Sequence, residues 1–288
     1  MAFNEYGTIS RIGLRHASAA FVDQDRIDSE WQTLNYHSAP NFEQSVQEYD
    51  TFLEALALDG ANVHLLEQDT ALTLDALYVR DALLTSPNGL ILANMGKLER
   101  RDEPIENAAS LEQAGVRVAG RIKGDGRLEG GDFVWFDEQT CAVGEGYRTN
   151  AEGIAQLREL LGPRVHVQVC DLPHYKGPGD VFHLMSMLSP LDRDLALVHS
   201  PLMPVRFRSW LIELGLQLVE VPDEEFEAMA CNVLATSPRR CVMVEGCPLT
   251  ETALRKAGCE VITYRGAEIS RKGEGGPTCL TRPLERLG

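Results

Sequence analysis

The stretch Gly131–Val169, GDFVWFDEQTCAVGEGYRTNAEGIAQLRELLGPRVHVQV, contains one complete structural unit. GDFVWF and TCAVGEG are apolar runs on either side of Asp137-Glu138-Gln139, which is the pattern of a β-hairpin. An amphipathic stretch follows and stops at Gly162, where a helix is expected to end in a left-handed cap. The Val-rich run after that glycine reads as a third strand. The unit is therefore hairpin, helix, strand.

The same unit recurs in both directions along the chain. Gly60, Gly115, Gly162, Gly215 and Gly258 each follow an amphipathic stretch and precede a Val- or Leu-rich run. Their separations of 55, 47, 53 and 43 residues are each near one fifth of the 288-residue chain. Further hairpins are expected from DALLTS and GLILANM around Pro87-Asn88-Gly89, from HLMSML and LALVHS around Pro190–Arg193, and from CNVLATS and RCVMVEG around Pro238-Arg239. The fifth hairpin is split: the opening run YGTISRIGLR and the closing run PTCLTRPL are expected to pair and close a ring. In the first helix, Phe42, Val46, Tyr49, Leu53 and Leu56 make one apolar stripe, with Asn41 as its N-cap. No linker interrupts the series, so residues 1–288 are expected to form a single α/β domain. A plain doubly wound sheet competes with this reading, but its parallel βαβ units lack regular hairpins.

Composition narrows the function. Asp and Glu number 43 against 27 Lys and Arg, a net charge of −16, which suits neither a phosphate backbone nor any other nucleic-acid surface. No apolar run is long enough for a membrane span, and the N-terminus lacks the pattern of a secretory signal. The seven cysteines are scattered without CxxC pairs, which points to a reducing cytoplasm rather than to a disulfide framework or a zinc ribbon. No HExxH or similar spacing is present, so neither metal nor organic cofactor is expected.

Four local sequences stand apart from the repeat. They are Tyr78-Val-Arg-Asp81, Arg127-Leu-Glu-Gly-Gly-Asp132, Asp180-Val-Phe-His-Leu-Met185 and Gly273-Glu-Gly-Gly-Pro-Thr-Cys279. Each lies at the start of a hairpin, so units arranged round an axis would bring all four to one end. Singly, each also has a plain structural reading: a turn, a core histidine, a cap, a flexible glycine loop. Together they supply a thiol, an imidazole and two carboxylates. That set suits attack on a cationic carbon. Carboxylates hold the N–H groups of a guanidinium, a thiolate attacks its central carbon, and an imidazole protonates the departing amine. A thiol beside carboxylates has a raised pKa, so the bound cation itself would help to ionise it.

With LEGGD, VGEGYRTNAEG (143–153) and EGGPTCLT in this order and spacing, the chain resembles the guanidino-group-modifying, or pentein, superfamily over nearly its whole length. Within it the sequence is most similar to the bacterial dimethylarginine dimethylaminohydrolases. The resemblance implies a closed five-bladed α/β propeller of ββαβ units with pseudo-fivefold symmetry. It implies that Cys279 is the nucleophile and forms a thiouronium intermediate, and that His183 is the general acid and then the base. It implies that Asp81 and Glu129 bind the guanidinium, with Glu129 counted in the catalytic set. It assigns Arg148 and Arg100 to the substrate α-carboxylate, Asp75 to substrate recognition and Val22–Pro40 to a substrate lid. A small cationic guanidino substrate and a homodimer are the implied partners.

Two departures divide the substrate reading. Arg80 stands where the dimethylarginine hydrolases usually have an acid, as in arginine deiminases and amidinotransferases. Met185 stands where those two groups have an aspartate, which leaves room for an alkylated nitrogen. The expected activity is hydrolysis of a C–N bond of arginine or an Nω-methylated arginine, giving citrulline and an amine or ammonia. An arginine deiminase-like hydrolase and an amidinotransferase are the alternatives. A non-catalytic binding propeller, as in the ribosome-associated initiation factor of this fold, is disfavoured by the combination of Cys279, His183, Glu129 and Asp81.

Overall fold

The computed structural model describes residues 2–58, 60–69 and 71–288. The chain opens with β1 (Thr8–Leu14), α1 (Ala17–Phe21), α2 (Gln24–Glu30), α3 (Phe42–Leu56) and β2 (Asn62–Leu65). The next unit is β3 (Leu83–Ser86), β4 (Gly89–Leu92), α4 (Glu103–Gln113) and β5 (Val118–Arg121). The opening stretch of sequence folds as β6 (Phe133–Asp137), β7 (Thr140–Glu145), α5 (Ala151–Leu161) and β8 (His166–Asp171). Then come β9 (Leu188–Asp192), β10 (Leu195–Val198), α6 (Val205–Glu213), β11 (Gln217–Glu220) and the single turn α7 (Asp223–Phe226). The last unit is β12 (Leu234–Ser237), β13 (Arg240–Val244), α8 (Pro248–Lys256) and β14 (Glu260–Tyr264), and β15 (Thr281–Leu287) closes the chain.

Five three-stranded sheets result, and all have the same plan. An antiparallel hairpin is extended by a parallel third strand delivered by the helix, as in β6–β7–β8. The split hairpin forms as expected: β15 pairs antiparallel with β1, and β2 adds in parallel. The alternative of a plain doubly wound sheet is thereby excluded. All five repeat glycines have φ between +79° and +89°, the left-handed region that a side chain disfavours.

Neighbouring sheets touch in chain order. Arg282 Nη1 of β15 donates to the Leu83 carbonyl of β3 at 2.9 Å. Trp135 Nε1 of β6 donates to the Thr85 carbonyl of β3 at 3.0 Å. Val134 and Phe136 of β6 share an apolar cluster with Leu188 of β9 and Ala196 of β10. The Leu191 carbonyl of β9 accepts from Arg239 N, in the turn after β12, at 2.9 Å. Arg286 Nη1 of β15 donates to the Ala235 carbonyl of β12 at 2.9 Å.

Three local expectations need correction. The fully buried residues of α3 are Ser45, Glu48, Tyr49, Phe52 and Leu56, while Phe42 and Leu53 of the expected stripe pack only partly buried against the same core. Glu48 joins that face because its buried carboxylate accepts from the Glu268 and Ile269 amides and caps the helical turn at Ala267–Arg271. Gly60 does not cap α3; Ala57, in the left-handed region, already does. Pro190–Asp192 belong to β9, and the hairpin turns at Arg193-Asp194 instead. Asn41 is the N-cap of α3 as expected, accepting from Gln44 N at 2.9 Å.

Candidate active site

Residues just ahead of the first strand of each hairpin converge on one cavity. Asp81, Asn232 and Cys279 each stand two residues before β3, β12 and β15. Gly131 stands two residues before β6, with Glu129 close behind, and His183 opens the short 3-10 turn that leads into β9. Asp75, Asp81, Arg100, Arg148, His183, Met185, Asn232 and Cys279 line one cavity.

Cys279 is the half-buried cysteine of a chain whose other six are buried. Its Sγ accepts from Asn232 Nδ2 at 3.3 Å. The orientation of that amide is settled by its other end. Asn232 Oδ1 accepts from the Thr278 amide at 3.1 Å and from Thr278 Oγ1 at 2.7 Å, and a backbone N–H can only donate. The amino group must therefore face the sulfur. Burial pushes the Cys279 thiol up, Asp81 pushes it further, and Asn232 and Thr278 pull it back only in part. The glycines ahead of it are not there for flexibility. A Cβ on Gly273 or Gly275 would overlap Tyr78, and one on Gly276 would stand 2.5 Å from the Asn232 amide carbon.

His183 Nε2 is 2.7 Å from Glu129 Oε2, so that nitrogen donates to the carboxylate. Nδ1 is left facing Asp81 Oδ1 at 3.8 Å. Burial works against the charged ring, but Asp132, Asp81 and Glu129 outweigh it and raise the His183 pKa to about 9. Burial raises the Asp132 pKa to about 6 against the pull of His183 and Thr149. Burial would raise Glu129 too, but His183 and Arg148 hold it well below the usual carboxylate range.

Glu129 does not face the cavity, which corrects its expected contact with a guanidinium. It is fully buried behind His183 and accepts from the Gly96 amide at 2.8 Å and the Lys97 amide at 3.2 Å. Arg148 Nη1 lies 3.2 Å from Glu129 Oε2 and borders the cavity, as its sequence position suggests. Arg100 departs from expectation. Its Nε and Nη2 grip Glu103 at 2.8 Å each, Nη2 also reaches the Tyr78 carbonyl at 2.7 Å, and Nη1 holds Asp81 Oδ2 at 2.6 Å. It is 3% exposed, so it braces Asp81 and has little left to offer a carboxylate. Asp81 Oδ1 has no partner and is the open acceptor of the site. Asp75 pairs with Lys97 Nζ at 2.6 Å, and Lys97 also donates to the Leu34 carbonyl at 2.8 Å. Through that contact the Val22–Pro40 segment reaches the cavity, which Leu34 and Asn35 line.

Arg80 resolves one of the two departures. Its Nε donates to the Thr278 carbonyl at 2.8 Å, and its Nη atoms lie 3.3 Å from Glu5 Oε2. It is a fully buried brace under the nucleophile, so it says little about substrate. Met185 lines the cavity.

Sequence reasoning missed Asn232, Lys97 and Asp132. Asn232 was within reach, because CNVLATS is the one remaining hairpin start and its four equivalents had all been singled out. Lys97 carried no signal beyond residue type, whereas Asp132 closes the LEGGD motif but was given no role of its own. Among the described residues, Asp81, Glu129 and His183 form a trio whose ligand atoms lie within 4.8 Å of one another. A cation there would have to displace the His183 proton and break its contact with Glu129. No helix among the described residues is long and apolar enough to cross a membrane.

Residues 18–286 match the family model described as N,N dimethylarginine dimethylhydrolase, eukaryotic. A dimethylarginine dimethylaminohydrolase of Streptomyces coelicolor is 30% identical over 247 residues, covering 84% of this chain and 87% of that one. The Pseudomonas aeruginosa protein of the same name is 26% identical over 255 residues, covering 86% and 92%. The fold is shared with a mutant dimethylarginine dimethylaminohydrolase from Pseudomonas aeruginosa complexed with citrulline, at a TM-score of 0.75 and 24% identity over 97% of this chain and all of that one.

Proposed function

The chain belongs to the dimethylarginine dimethylaminohydrolase family, and on that premise we propose how its residues hydrolyse an Nω-methylated arginine to citrulline and a methylamine. The observation that carries the reading is the convergence of Cys279, His183 and the unpartnered Asp81 Oδ1 on one cavity, with Glu129 behind the imidazole.

A guanidinium is a poor electrophile because its charge is spread over three nitrogens. Asp81 Oδ1 accepts one of its N–H groups and localises the charge on the central carbon. The cation also offsets Asp81, which is one cause of the high thiol pKa, so binding favours loss of the Cys279 proton to solvent. The thiolate attacks the carbon, assisted by the Asn232 amino group. His183, protonated at neutral pH, gives its Nδ1 proton to the departing methylamine, and the C–N bond breaks. The thiouronium that remains is attacked by water, whose proton His183 Nδ1 takes. The C–S bond then breaks as the added hydroxyl gives up its proton to the departing sulfur, releasing citrulline and the Cys279 thiol. Glu129 keeps the ring oriented and charged. Arg148 is the group available to the α-carboxylate, and Asp75 with Lys97 closes the cavity below Leu34. Met185, in place of a second acid, leaves room for the methyl groups.

The same reading takes residues 1–288 as one domain and the five sheets as the blades of a closed propeller with pseudo-fivefold symmetry. The five sheet-to-sheet contacts in cyclic order support it. Cytoplasmic residence rests on the seven free thiols, and exclusion of nucleic acid on the net charge of −16. A homodimer is expected, and sedimentation velocity reads it directly.

The test is incubation with dimethylarginine, monomethylarginine and arginine, followed by assay for citrulline. Methylated substrates should be preferred, and Cys279→Ser should abolish turnover with the melting temperature retained. Citrulline from none of the three overturns the reading. Ornithine appearing only when an acceptor amine is added would establish transfer instead of hydrolysis.

A further inference from the structure

The ammonium of Lys97 stands at the wall of the cavity, yet no step of the hydrolysis uses it. Its Nζ lies 2.6 Å from Asp75 Oδ2 and donates to the Leu34 carbonyl at 2.8 Å. Asp75 is 4% exposed, so its charge has to be matched inside the protein, and Lys97 matches it. A carboxylate and a carbonyl around one nitrogen make a receptor for any primary ammonium, and here a side chain of the protein already fills it. An ammonium carries three N–H donors, so the Leu34 bond and the Asp75 contact leave at least one for the cavity.

A methylated arginine brings three charged groups: the guanidinium, the α-carboxylate and the α-ammonium. The carboxylates that border the cavity are Asp75, Asp81 and Glu274. Asp81 is needed by the guanidinium, and Glu274 is hydrogen-bonded to His37 Nε2 at 3.0 Å. Asp75 remains for the α-ammonium, but only if the substrate expels Lys97 from it. One ammonium then replaces another on the same acceptors, and like charges at the same distance gain nothing over each other. For a carboxylate the balance is opposite. Arg148 and Lys97 both border the cavity, whereas Arg100 is spent on Glu103, Asp81 and the Tyr78 carbonyl. Besides the acid His183, the cavity therefore presents two cations and one open acceptor, Asp81 Oδ1. That is the complement of a guanidinium joined to a carboxylate, with no second positive group.

We propose that Lys97 takes the place of a substrate α-ammonium beside Asp75, so that the enzyme also hydrolyses Nω-methylated guanidino carboxylates that lack an α-amino group. The inference rests on the hydrolase reading of the same cavity. The steps at Cys279 and His183 are unchanged: water replaces the amine on the central carbon, and the products are an ω-ureido acid and a methylamine. The free N–H of Lys97 joins Arg148 on the carboxylate of such a substrate.

The experiment compares dimethylarginine with its des-amino counterpart, in which hydrogen replaces the α-amino group. Binding is measured by calorimetry on the full chain carrying Cys279→Ser, and turnover on the unaltered chain by release of dimethylamine. The des-amino compound should bind at least as tightly as dimethylarginine and should release dimethylamine. Adding Lys97→Met opens Asp75 to a substrate ammonium. Dimethylarginine should then bind about tenfold tighter than the des-amino compound, the worth of one hydrogen bond between charged groups. If that variant does not fold, the comparison with Lys97 in place decides. Weaker binding of the des-amino compound with Lys97 present overturns the proposal, as does an order of affinity that Lys97→Met leaves unchanged. So does dimethylamine released from dimethylarginine alone. Release from neither compound overturns the hydrolase reading instead, and the order of affinity still decides the place of Lys97.

Discussion

Cys279 sits in surroundings that oppose its ionisation, so the groups that offset this opposition should control its reactivity. Asn232 is the first of three neighbours, with Thr278 and Arg80, that lower the thiol pKa, and its amino group is locked toward the sulfur by Thr278. A hydrogen bond to a charged group contributes about 1.5–3 kcal/mol, so Asn232→Ala should raise the thiol pKa by about one unit. The pH profile of Cys279 alkylation by iodoacetamide reads this, and an unmoved profile would show that Asn232 only packs. His183 gives the second prediction. Its folded pKa of about 9 exceeds the ordinary 6.5, so the stability it contributes is complete below about pH 6.5 and is lost as pH rises through 9. The proton needed by the leaving amine is lost over the same range, so kcat/KM should fall above about pH 9. Glu129→Gln removes one of three carboxylates that hold the ring charged. It should move that alkaline limb down by about one unit or more, and a limb that stays in place would remove Glu129 from the role.

At the scale of elements, the turns ahead of the hairpins hold the chemistry in place through close approach. A Cβ on Gly131, in the 3-10 turn before β6, would overlap His183 Nδ1 and stand 2.8 Å from Asp81 Oδ1. Gly131→Ala should therefore displace the acid–base pair, with about a hundredfold loss of kcat from a shift of order 1 Å. The overpacking cost to stability is about 1–3 kcal/mol. Activity near that of the unaltered chain would show that the turn has room to relax. The hairpin–helix–strand order of every unit was legible, because it depends on local periodicity and on glycines at helix ends. The burial of Glu48 on α3 was not legible, because its carboxylate is recruited by the turn at Ala267–Arg271, more than 200 residues away in sequence.

At the scale of the whole molecule, each sheet leans on the next, and the first and last strands pair with each other. In the closed propeller proposed above, no point along the chain divides naturally. Calorimetric unfolding should give a single transition whose calorimetric and van't Hoff enthalpies agree. Two resolved transitions would mean that the units divide into separate domains.

The sequence by itself determined the repeat, the split hairpin, the pentein resemblance and the thiol–imidazole–carboxylate set. Those features reside in residue type, spacing and local backbone preference. Only the tertiary structure decided which carboxylate faces the substrate cavity and which stands behind the imidazole, since Asp81 and Glu129 are chemically alike until their neighbours are known. It also turned Arg100 from a candidate substrate contact into a buried brace, showed Arg80 to be another, and brought Asn232 to the sulfur. The reason is the same in each case. A side chain's role depends on which of its atoms are already partnered, and those partners come from distant parts of the chain that meet only when the five sheets pack.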